Sequence, residues 1–485
     1  MSELPYTWTS TSIKTVANLV TGNTPPTKSP EYYGGNVPFV KPGDLDGVDP
    51  IATTEQQLTE LGAQQSRLVR AGATLVSCIG NLGKVGFAGV PLATNQQINS
   101  AEFHSEIVDD RYGYYLCKTL KPWMERESSA TTIAILNKGK FGEAPFPLAP
   151  LAEQKRIADK LDTVLTRVDA VNTRLARVAP ILKRFRQSVL AAATSGRLTE
   201  DWRGNVHSKE GGLTVVERDA RAKEELLRNN PGLAKKKSTT HSKVNENYLF
   251  ELPDNWCFST WGQISEWITY GFTRPMPSTD QGQRLLTAKD VHPFKVRLES
   301  SGYTTQGAFF DLSEKDKPLF GDLLITKDGS IGRAALIRTT ESFCINQSVA
   351  VCWLRSTSMD RNFLEIVANA DFTQRFVADM AKGMAIQHLS IVDFACCPVP
   401  VPPQNEQTEI VRRVETLFAF ADRLEARLQA AQTATERLTP AMLAKAFRGE
   451  LVPQDPNDEP ASELLRRLQQ EVPSTNAKRG RKSAA

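Results

Sequence analysis

The stretch that decides the fold is residues 145–198, PFPLAPLAEQKRIADKLDTVLTRVDAVNTRLARVAPILKRFRQSVLAAATSGRL, because it occurs twice in the chain. Residues 398–451 repeat it without a gap, so adding 253 to a position in the first copy gives its counterpart in the second. The paired positions include prolines, a Glu-Gln pair and a closing glycine: Pro145 and Pro398, Pro147 and Pro400, Pro150 and Pro403, Glu153 and Glu406, Gln154 and Gln407, Gly196 and Gly449. A register kept over this length predicts that both copies form the same structure.

Apolar residues in each copy recur every three or four positions, which is the pattern of a helix buried along a narrow seam against another helix. The first seam consists of Ile157, Leu161, Val164, Val168, Val171, Leu175, Val178, Leu182, Phe185 and Val189. The second consists of Ile410, Val414, Leu417, Ala421, Leu424, Leu428, Ala431, Thr435, Leu438 and Met442. The first helix would be about 50 Å long at 1.5 Å per residue, a length that suggests a spacer.

Each helix follows proline-rich extended chain and ends near a glycine suited to positive φ. Pro180 and Pro440 lie at different places in the two copies, so each helix is expected to be kinked or split there. Two such helices in one chain can bury their apolar seams against each other. Homodimerisation through each helix separately is the alternative.

The composition is that of a soluble globular protein. At 485 residues, with 40% apolar and 24% charged residues, the chain is long enough for two to four domains. No run approaches a membrane span and the first residues lack a signal sequence, so we expect a cytoplasmic protein without a membrane partner. The seven cysteines and five histidines lack the spacing of a zinc site, so no metal is expected, and the net charge of +4 permits nucleic-acid binding without arguing for it.

Residues 1–144 mix strand-like and helical patterns and form a first globule; residues 145–200 form the first helical spacer. Residues 201–247 are polar and include Lys235, Lys236 and Lys237, so we expect a solvated linker with at most one short helix. Residues 248–397 form a second globule and residues 398–456 the second helical spacer. Residues 457–485 end in a basic KRGRK run and are expected to be a largely disordered tail.

The second globule echoes the first at a few anchor points. LPDNW at 252–256 matches LPYTW at 4–8, and GDLLITKDGSIGRA at 321–334 parallels GATLVSCIGNLGKV at 72–85. Asn346-Gln347 likewise parallels Asn95-Gln96. The chain is therefore two half-molecules of α+β class, each a variable globule followed by a helical arm.

Catalytic motifs are not found. The nearest approach to a nucleotide-binding loop, residues 80–86, has the wrong spacing and Val85 in place of Ser or Thr. Carboxylates with a nearby lysine, as in nuclease active sites, occur at Lys41, Asp44 and Asp46. No helix or strand pattern predicts that these side chains lie close together in space. A self-sufficient nuclease or methyltransferase is therefore disfavoured.

The twin glycine turns point towards DNA. Gly80-x-x-Gly83-Lys84 and Gly329-x-x-Gly332-Arg333 place a cation after a tight turn, beside amide residues suited to base edges. Ordinary hairpin turns with solvated cations, and amides that hydrogen-bond in the core, are the alternatives. The candidate DNA-contacting residues are Lys41, Asn81, Lys84, Asn95, Gln96, Gln97, Lys327, Arg333, Asn346 and Gln347.

Two divergent globules, each followed by a helix that begins P-x-P-x-x-P-x-x-E-Q, resemble the specificity subunit of type I restriction-modification enzymes. The resemblance covers residues 4–456 and rests mainly on the repeats: Pro145, Pro147, Pro150, Glu153, Gln154, Ile157 and RFRQSVLAAATSGRLT at 184–199. It implies two target-recognition domains of α/β build separated by two long antiparallel helices, which form an intramolecular coiled coil with a pseudo-two-fold repeat.

The family resemblance further implies that the chain reads a bipartite double-stranded DNA site with a fixed spacer and is not itself catalytic. Two methylation subunits carrying S-adenosylmethionine and motor-nuclease subunits using ATP and Mg²⁺ would be the partners, and this chain would bind no cofactor. The alanines and threonine of the second seam, and the absence there of the basic run Lys183, Arg184 and Arg186, depart from exact repetition. A coiled-coil scaffold with two ligand-binding globules remains the other interpretation.

Overall fold

The computed structural model describes residues 4–47, 49–128, 133–206, 210–234, 243–383 and 387–471. The chain divides into two compact units: Met1–Ala176 with Gln429–Ala485, and Arg177–Leu428. Each unit therefore contains one globule and a part of both helical repeats. The basic runs at 235–237 and 478–482 lie outside the described residues.

The first unit begins with a mixed globule. Its strands are β1 Thr9–Ser12, β2 Ala17–Thr21, β3 Tyr33–Val40, β4 Gln57–Leu58, β5 Leu68–Val69, β6 Thr74–Ser77, β7 Val85–Phe87, β8 Leu92–Thr94, β9 Ile98–Phe103 and β10 Pro145–Leu148. Its helices are α1 Ile13–Val16, α2 Glu60–Gln64, α3 Asp110–Cys117, α4 Lys121–Glu127, α5 Lys138–Gly142 and α6 Leu151–Ala176, with 3₁₀ turns at Pro30–Tyr32 and Pro42–Asp44.

The second unit carries its counterpart. Its helices are α7 Val178–Thr194, α8 Glu200–Asn205, α9 Gly212–Asn229, α10 Pro231–Ala234, α11 Trp261–Ile264, α12 Gln306–Phe310, α13 Arg361–Asn369, α14 Asp371–Met380 and α15 Ile391–Ala395. Its strands are β11 Cys257–Thr260, β12 Trp267–Tyr270, β13 Gln283–Leu286, β14 Val291–His292, β15 Lys295–Val296, β16 Gly302–Thr304, β17 Leu323–Thr326, β18 Ala334–Leu336, β19 Phe343–Ile345, β20 Val349–Trp353 and β21 Pro398–Val401. Further 3₁₀ turns are Arg197–Thr199, Glu246–Tyr248, Ala288–Asp290 and Glu314–Asp316, and the chain continues with α16 Gln404–Ala446 and α17 Ala461–Glu471.

Both globules share one sheet topology, and their second sheets differ in size, with four strands in the first globule and three in the second. A four-stranded antiparallel sheet has the order β2-β9-β6-β7 in the first and β12-β20-β17-β18 in the second. A second sheet contains one parallel pair, β3 with β8 and β13 with β19. The central strands β6 and β17 are buried along their whole length, including the terminal Thr74, Ser77 and Thr326.

The proline-rich start of each repeat is a strand. The segment β10 pairs with β1, and β21 pairs with β11, so the chain closes each globule immediately before entering a long helix. Pro145 and Pro398 are tolerated because each sheet has only two strands and therefore only edges.

The long helices run antiparallel. In the first unit Ile157 and Leu161, near the start of α6, share an apolar cluster with Leu443 and Ala446, at the end of α16. In the second unit the end of α7 and the start of α16 share another cluster, which includes Val189 and Ile410. The predicted fold class is therefore confirmed.

The two prolines have different effects. The first repeat is split, since α6 ends at Ala176 and α7 begins at Val178, and Pro180 lies in the first turn of α7, where a missing N–H costs little. The helix was expected to be kinked or split at Pro440, and the prediction of a split is wrong. Helix α16 runs unbroken past Pro440, and the following turn is anchored by buried Leu443.

Residues 201–247 are not the solvated linker with at most one short helix that the sequence suggests. The helix α9 is 18 residues long and buries Val215, Asp219 and Lys223. Its Lys223 Nζ donates to the carbonyl oxygens of Gly262, at 2.7 Å, and Ser265, at 2.6 Å. Polar residues here dock a helix by hydrogen bonding, which a composition-based argument misses.

The segment 457–485 also differs from expectation in its described part, because residues 461–471 form α17 and bury Ala461 and Leu464 in the core of the first unit. The Ala461 N–H donates to the Thr7 carbonyl at 2.9 Å, as Gly212 N–H donates to Asn255 at 2.8 Å. Helices α9 and α17 are therefore equivalent, and the internal repeat extends beyond the two spacers. No helix in the described ranges has the length and apolarity needed to cross a bilayer.

Candidate nucleic-acid interface

A buried glutamate at the start of each long helix holds the globule to its arm. Trp8 Nε1 donates to Glu153 Oε2, and Trp256 Nε1 donates to Glu406 Oε2, both at 3.0 Å. The other oxygen of Glu153 accepts from Gln454 at 2.6 Å. Burial raises the pKa of Glu153, against the lowering effect of these two donors.

The second oxygen of Glu406 has different partners, because Thr199 Oγ1 donates to it at 2.7 Å and Arg203 at 2.5 Å. The Trp and the Glu of each half therefore correspond, whereas the third partner differs. Since both carboxylates are almost fully buried, each tolerates its charge only through these donors.

The neighbouring glutamines orient a globule helix. Gln154 Oε1 accepts from the N–H of Asp109, the N-cap of α3, at 2.9 Å. Gln407 Oε1 accepts in the same way from Asp360, the N-cap of α13, at 2.8 Å. The repeated Glu-Gln pair thus fixes both the opening strand and a helix of each globule relative to its arm. The matching Trp and Glu-Gln positions are visible in the sequence, but their hydrogen bonds were not predicted from it.

The predicted glycine turns are built alike. Gly80, Gly83, Gly329 and Gly332 all have positive φ, between 75° and 80°. Ser77 Oγ accepts from the Lys84 N–H at 2.9 Å, and its counterpart Thr326 Oγ1 accepts from Arg333 N–H at 3.0 Å.

One glycine of each turn faces the protein and the other faces open space. A Cβ on Gly83 would come within 2.7 Å of Lys121 Cβ, and one on Gly332 within 2.9 Å of Val377 Cγ1. No atom lies within 4 Å of the Cβ position of Gly80 or Gly329. The open glycines leave backbone that a partner can approach.

The residues flanking these turns are partly accessible. Asn81 is exposed, and Lys84 and Arg333 are half-buried. Lys84 and Arg333 form no ion pair with another residue in the described part of the chain. These three side chains therefore remain available for a ligand.

The turns at 95–97 and 346–348, here called the amide turns, are each closed by an asparagine side chain. Asn95 Oδ1 accepts from Gln97 N–H, and Asn346 Oδ1 accepts from Ser348 N–H, each at 3.1 Å. Both asparagines therefore close a turn, and Gln97, which accepts from Asn95 Nδ2 at 2.9 Å, belongs to the same structure. This arrangement is the hydrogen-bonding alternative that the sequence left open.

The glutamines at the tips of the amide turns are the accessible members. Gln96 and Gln347 are exposed, and Gln96 Oε1 accepts from Thr24 Oγ1 at 2.6 Å. Each amide turn lies beside the glycine turn of its globule, since Cys78 N–H donates to Gln97 and Lys327 N–H to Ser348. The structure therefore brings together the two features that the sequence predicted separately.

The remaining two candidates differ in exposure. Lys41 is exposed, with its ammonium 6.0 Å from the Phe39 ring centroid. Lys327 is only 5% exposed and lies over Tyr270 and beside Asp328. Lys327 was predicted to contact DNA, but its side chain is buried and its ammonium is engaged by Tyr270 and Asp328.

The candidate seam residues divide by burial. Those buried are Ile157, Leu161, Val168, Leu182, Ile410, Val414 and Leu428. Those half-buried are Val164, Leu175, Val178, Leu417 and Leu424, while Val171 is 41% exposed. Burial is most complete where the seam also meets a globule.

The described residues contain no group of three or more His, Cys, Asp or Glu side chains placed to hold a metal ion. The cysteines are free, and the buried ones have pKa values raised by desolvation, for example to about 11 at Cys78. The geometry thus consists of turns, amides and cations, the residue types that contact phosphates and base edges.

Comparison with known proteins identifies the family. The model of the type I restriction modification DNA specificity domain matches residues 5–179 and 260–431, one match per half. The specificity subunit of the Escherichia coli type I restriction enzyme EcoBI is 29% identical over 92% of this chain and 87% of its own length. The StySPI specificity subunit of Salmonella potsdam is 30% identical over 67% of this chain and 62% of its own length.

Solved structures agree at the level of fold. The HsdS subunit from Thermoanaerobacter tengcongensis superposes with a TM-score of 0.53 at 16% identity, over 93% of this chain and 98% of that one. A chain from a study of assembly and conformational transition in the type I restriction-modification system gives a TM-score of 0.62 at 16% identity, over 93% and 100%. With its duplicated globule and arm, and both halves matched, the chain belongs to the family of type I restriction-modification DNA specificity subunits.

Proposed function

We propose that this chain reads a bipartite DNA target, with each globule recognising one half, and that it directs adenine N6 methylation or ATP-dependent cleavage carried out by partner subunits. The observation that carries the proposal is the duplication itself. The same globule is built twice and held to its helix by the same Trp–Glu and Gln–N-cap hydrogen bonds.

Base reading is assigned to the accessible members of the paired turns. Gln96 and Gln347 can pair with adenine edges, and Lys84 and Arg333 with guanine edges or phosphates. Their surroundings diverge in sequence, so the two globules would read different half-sites. Asn95, Asn346 and Gln97 would support these contacts by shaping the turns.

The fixed spacer is assigned to the helices. At 1.5 Å per residue, the 43 residues of α16 give a rod of about 65 Å, longer than the 34–36 Å of one turn of B-DNA. The length of the helices would therefore set the gap between the two half-sites.

Catalysis is assigned to other chains. S-adenosylmethionine would be bound by two methylation subunits, and ATP and Mg²⁺ by motor-nuclease subunits, while this chain would bind none of them. The relatives are named as subunits of type I restriction enzymes, which supports a role inside a larger complex. Such a complex would work in the cytoplasm.

The two arms would offer related but unequal docking faces. Arg186, which belongs to the basic run of the first repeat, is held by Asp422 at 2.7 Å and Glu425 at 2.9 Å. Its cation is therefore used within the chain. Lys183 and Arg184 are exposed, form no ion pair with another described residue, and distinguish the first face from the second.

The test is methylome sequencing of a host that carries this chain with its methylation subunit, compared with a host lacking only this chain. A split adenine motif with a constant gap, present only when the chain is present, is the expected result. Methylation that is absent, or unchanged without the chain, would overturn the proposal and favour the scaffold interpretation.

A further inference from the structure

One loop in each globule begins in the same way and meets the same strand, but the two loops carry opposite charge. The first is residues 41–51 and the second residues 287–297. Each begins with a 3₁₀ turn in which an aspartate caps the backbone: Asp44 accepts from Lys41 N–H at 2.8 Å and Asp290 from Thr287 N–H at 2.9 Å.

The loops then make the same contact with the strand that leaves the glycine turn. Asp46 and Phe294 are the two non-glycine residues with positive φ in the described part of the chain, at 69° and 62°. Asp46 N–H donates to Val85 at 3.0 Å, and Phe294 N–H donates to Ala334 at 2.9 Å. Since Val85 and Ala334 directly follow the cations of the glycine turns, the loops occupy equivalent places.

Their charges are reversed. Residues 41–51 contain one lysine against three aspartates, a net charge of −2, whereas residues 287–297 contain three Lys or Arg against one aspartate, a net charge of +2. The single aspartate of the second loop, Asp290, is fully buried and accepts from Thr287 and Ser300. Its carboxylate is thus committed to the turn.

The second loop folds into the hairpin β14–β15, in which His292 pairs with Lys295 and which packs beside β18. Lys289, Lys295 and Arg297 are exposed, and the half-buried Arg333 immediately precedes β18. Because the hairpin packs on β18 directly after Arg333, its cations and Arg333 lie on the same part of the globule. Burial and the positive charges of Arg297 and Arg333 lower the pKa of His292, against the raising effect of Asp290.

None of these four cations has an ion-pair partner among the described residues. Like charges held close together repel one another, and a polyanion relieves the repulsion. In the first globule the Asp46 carboxylate accepts from the Val85 N–H at 3.0 Å, next to Lys84 in the chain, so the equivalent place carries a negative charge as well.

We propose that Lys289, Lys295 and Arg297, here called the basic hairpin, bind backbone phosphates of the DNA duplex beside Arg333, and that the equivalent loop of the first globule lacks this group of three cations. The proposal rests on the proposed DNA-reading function and adds an asymmetry to it. Phosphate contacts carry no sequence information, so the basic hairpin strengthens binding to any duplex. The second globule thus contributes more than the first to the salt dependence of DNA binding.

The test is the salt dependence of duplex binding by the full-length chain carrying Lys289→Gln, Lys295→Gln and Arg297→Gln. Binding of a fluorescent target duplex and of a scrambled duplex is measured by anisotropy at several salt concentrations. The slope of log K against log salt is negative, and each lost phosphate contact lowers its magnitude by about 0.9, so a decrease in magnitude of about 2 to 3 is expected. Affinity for both duplexes should fall together, and their ratio should stay constant.

The matched control is Arg221→Gln with Arg228→Gln, which removes two exposed cations that already face Glu217 and Glu224. Its slope should equal that of the wild type. If the triple variant fails to fold, Lys295→Gln and Arg297→Gln are measured singly, each with an expected decrease of about 0.9. A wild-type slope in the hairpin variants overturns the proposal, whereas a wild-type chain that binds no duplex overturns the proposed function itself.

Discussion

The tryptophan that opens each globule matters because it satisfies a buried carboxylate. Trp8→Phe removes the indole N–H from Glu153 while keeping an aromatic ring in the core. A buried acceptor without its partner costs about 1–3 kcal/mol, so the free energy of unfolding of the first unit should fall by this amount. Urea denaturation measures it.

Trp256→Phe gives the matched comparison, because Glu406 keeps two other donors on its second oxygen. We expect a loss at the lower end of the same range, about 1 kcal/mol. Equal and negligible losses at both positions would contradict the role assigned to the Trp–Glu bonds.

The Glu153 carboxyl should make stability depend on pH. Because burial raises its folded-state pKa, the folded protein holds this proton more tightly than the unfolded chain does. Its contribution to stability is therefore fully present below the unfolded-state pKa and is lost as pH rises through the raised folded-state pKa. In Glu153→Gln this part of the pH dependence should disappear, which denaturant titrations between mildly acidic and neutral pH would reveal; an unchanged pH profile would speak against it.

The paired glycines of each turn should respond differently to alanine. Gly80→Ala and Gly329→Ala meet only the cost of positive φ, about 1–2 kcal/mol, since their Cβ positions are open. Gly83→Ala and Gly332→Ala should cost more because the added methyl also clashes with Lys121 or Val377. Unfolding free energies of the four variants provide the measurement, and the reverse order would refute the assignment.

At the level of elements, the length of the long helices should set the gap between the two half-sites. Adding seven residues after Ala170 and seven after Ala430 preserves the heptad register and lengthens both helices by about 10 Å. The gap in the methylated motif should then grow by about three base pairs at ~3.4 Å each, as read by methylome sequencing.

The control for this dependence on helix length is an insertion of four residues after Ala170 alone. It changes the length of one helix and the register of its seam. We expect this variant either to lengthen the spacer or to abolish binding. Seven-residue variants that retain the original gap would show that the helices do not set it.

Local pattern predicted some elements and not others. The seam, the Pro-rich strands and the glycine turns were readable because their periodicity or backbone demands are local. The length and docking of α9 were not predicted, because Asp219 and Lys223 look solvated in sequence but are buried through hydrogen bonds to distant backbone. The split at Arg177 and the continuity through Pro440 likewise depend on packing around each helix.

At the level of the whole molecule, the C-terminal helix belongs to the first globule's core. Deleting residues 457–485 removes Ala461 and Leu464, and fully burying a leucine alone is worth about 1.5–3 kcal/mol. Stability of the first unit and recognition of one half-site should fall. Thermal unfolding and methylome sequencing would measure these losses.

Deleting only residues 472–485 is the control, because it leaves α17 in place. This shorter deletion should retain wild-type stability and target. If both deletions behave alike, α17 does not support the first globule.

The sequence by itself determined that the molecule is duplicated, that its arms are heptad helices and which family it belongs to. These conclusions follow from spacing within one stretch and from the match between two copies, neither of which needs a three-dimensional contact. The tertiary structure alone decided that Lys327 is buried, that Asn95 and Asn346 serve their turns, and that two equivalent loops carry opposite charge. Each of these facts depends on which residues meet across long stretches of chain, and pairing between distant residues is fixed by packing of the folded globule.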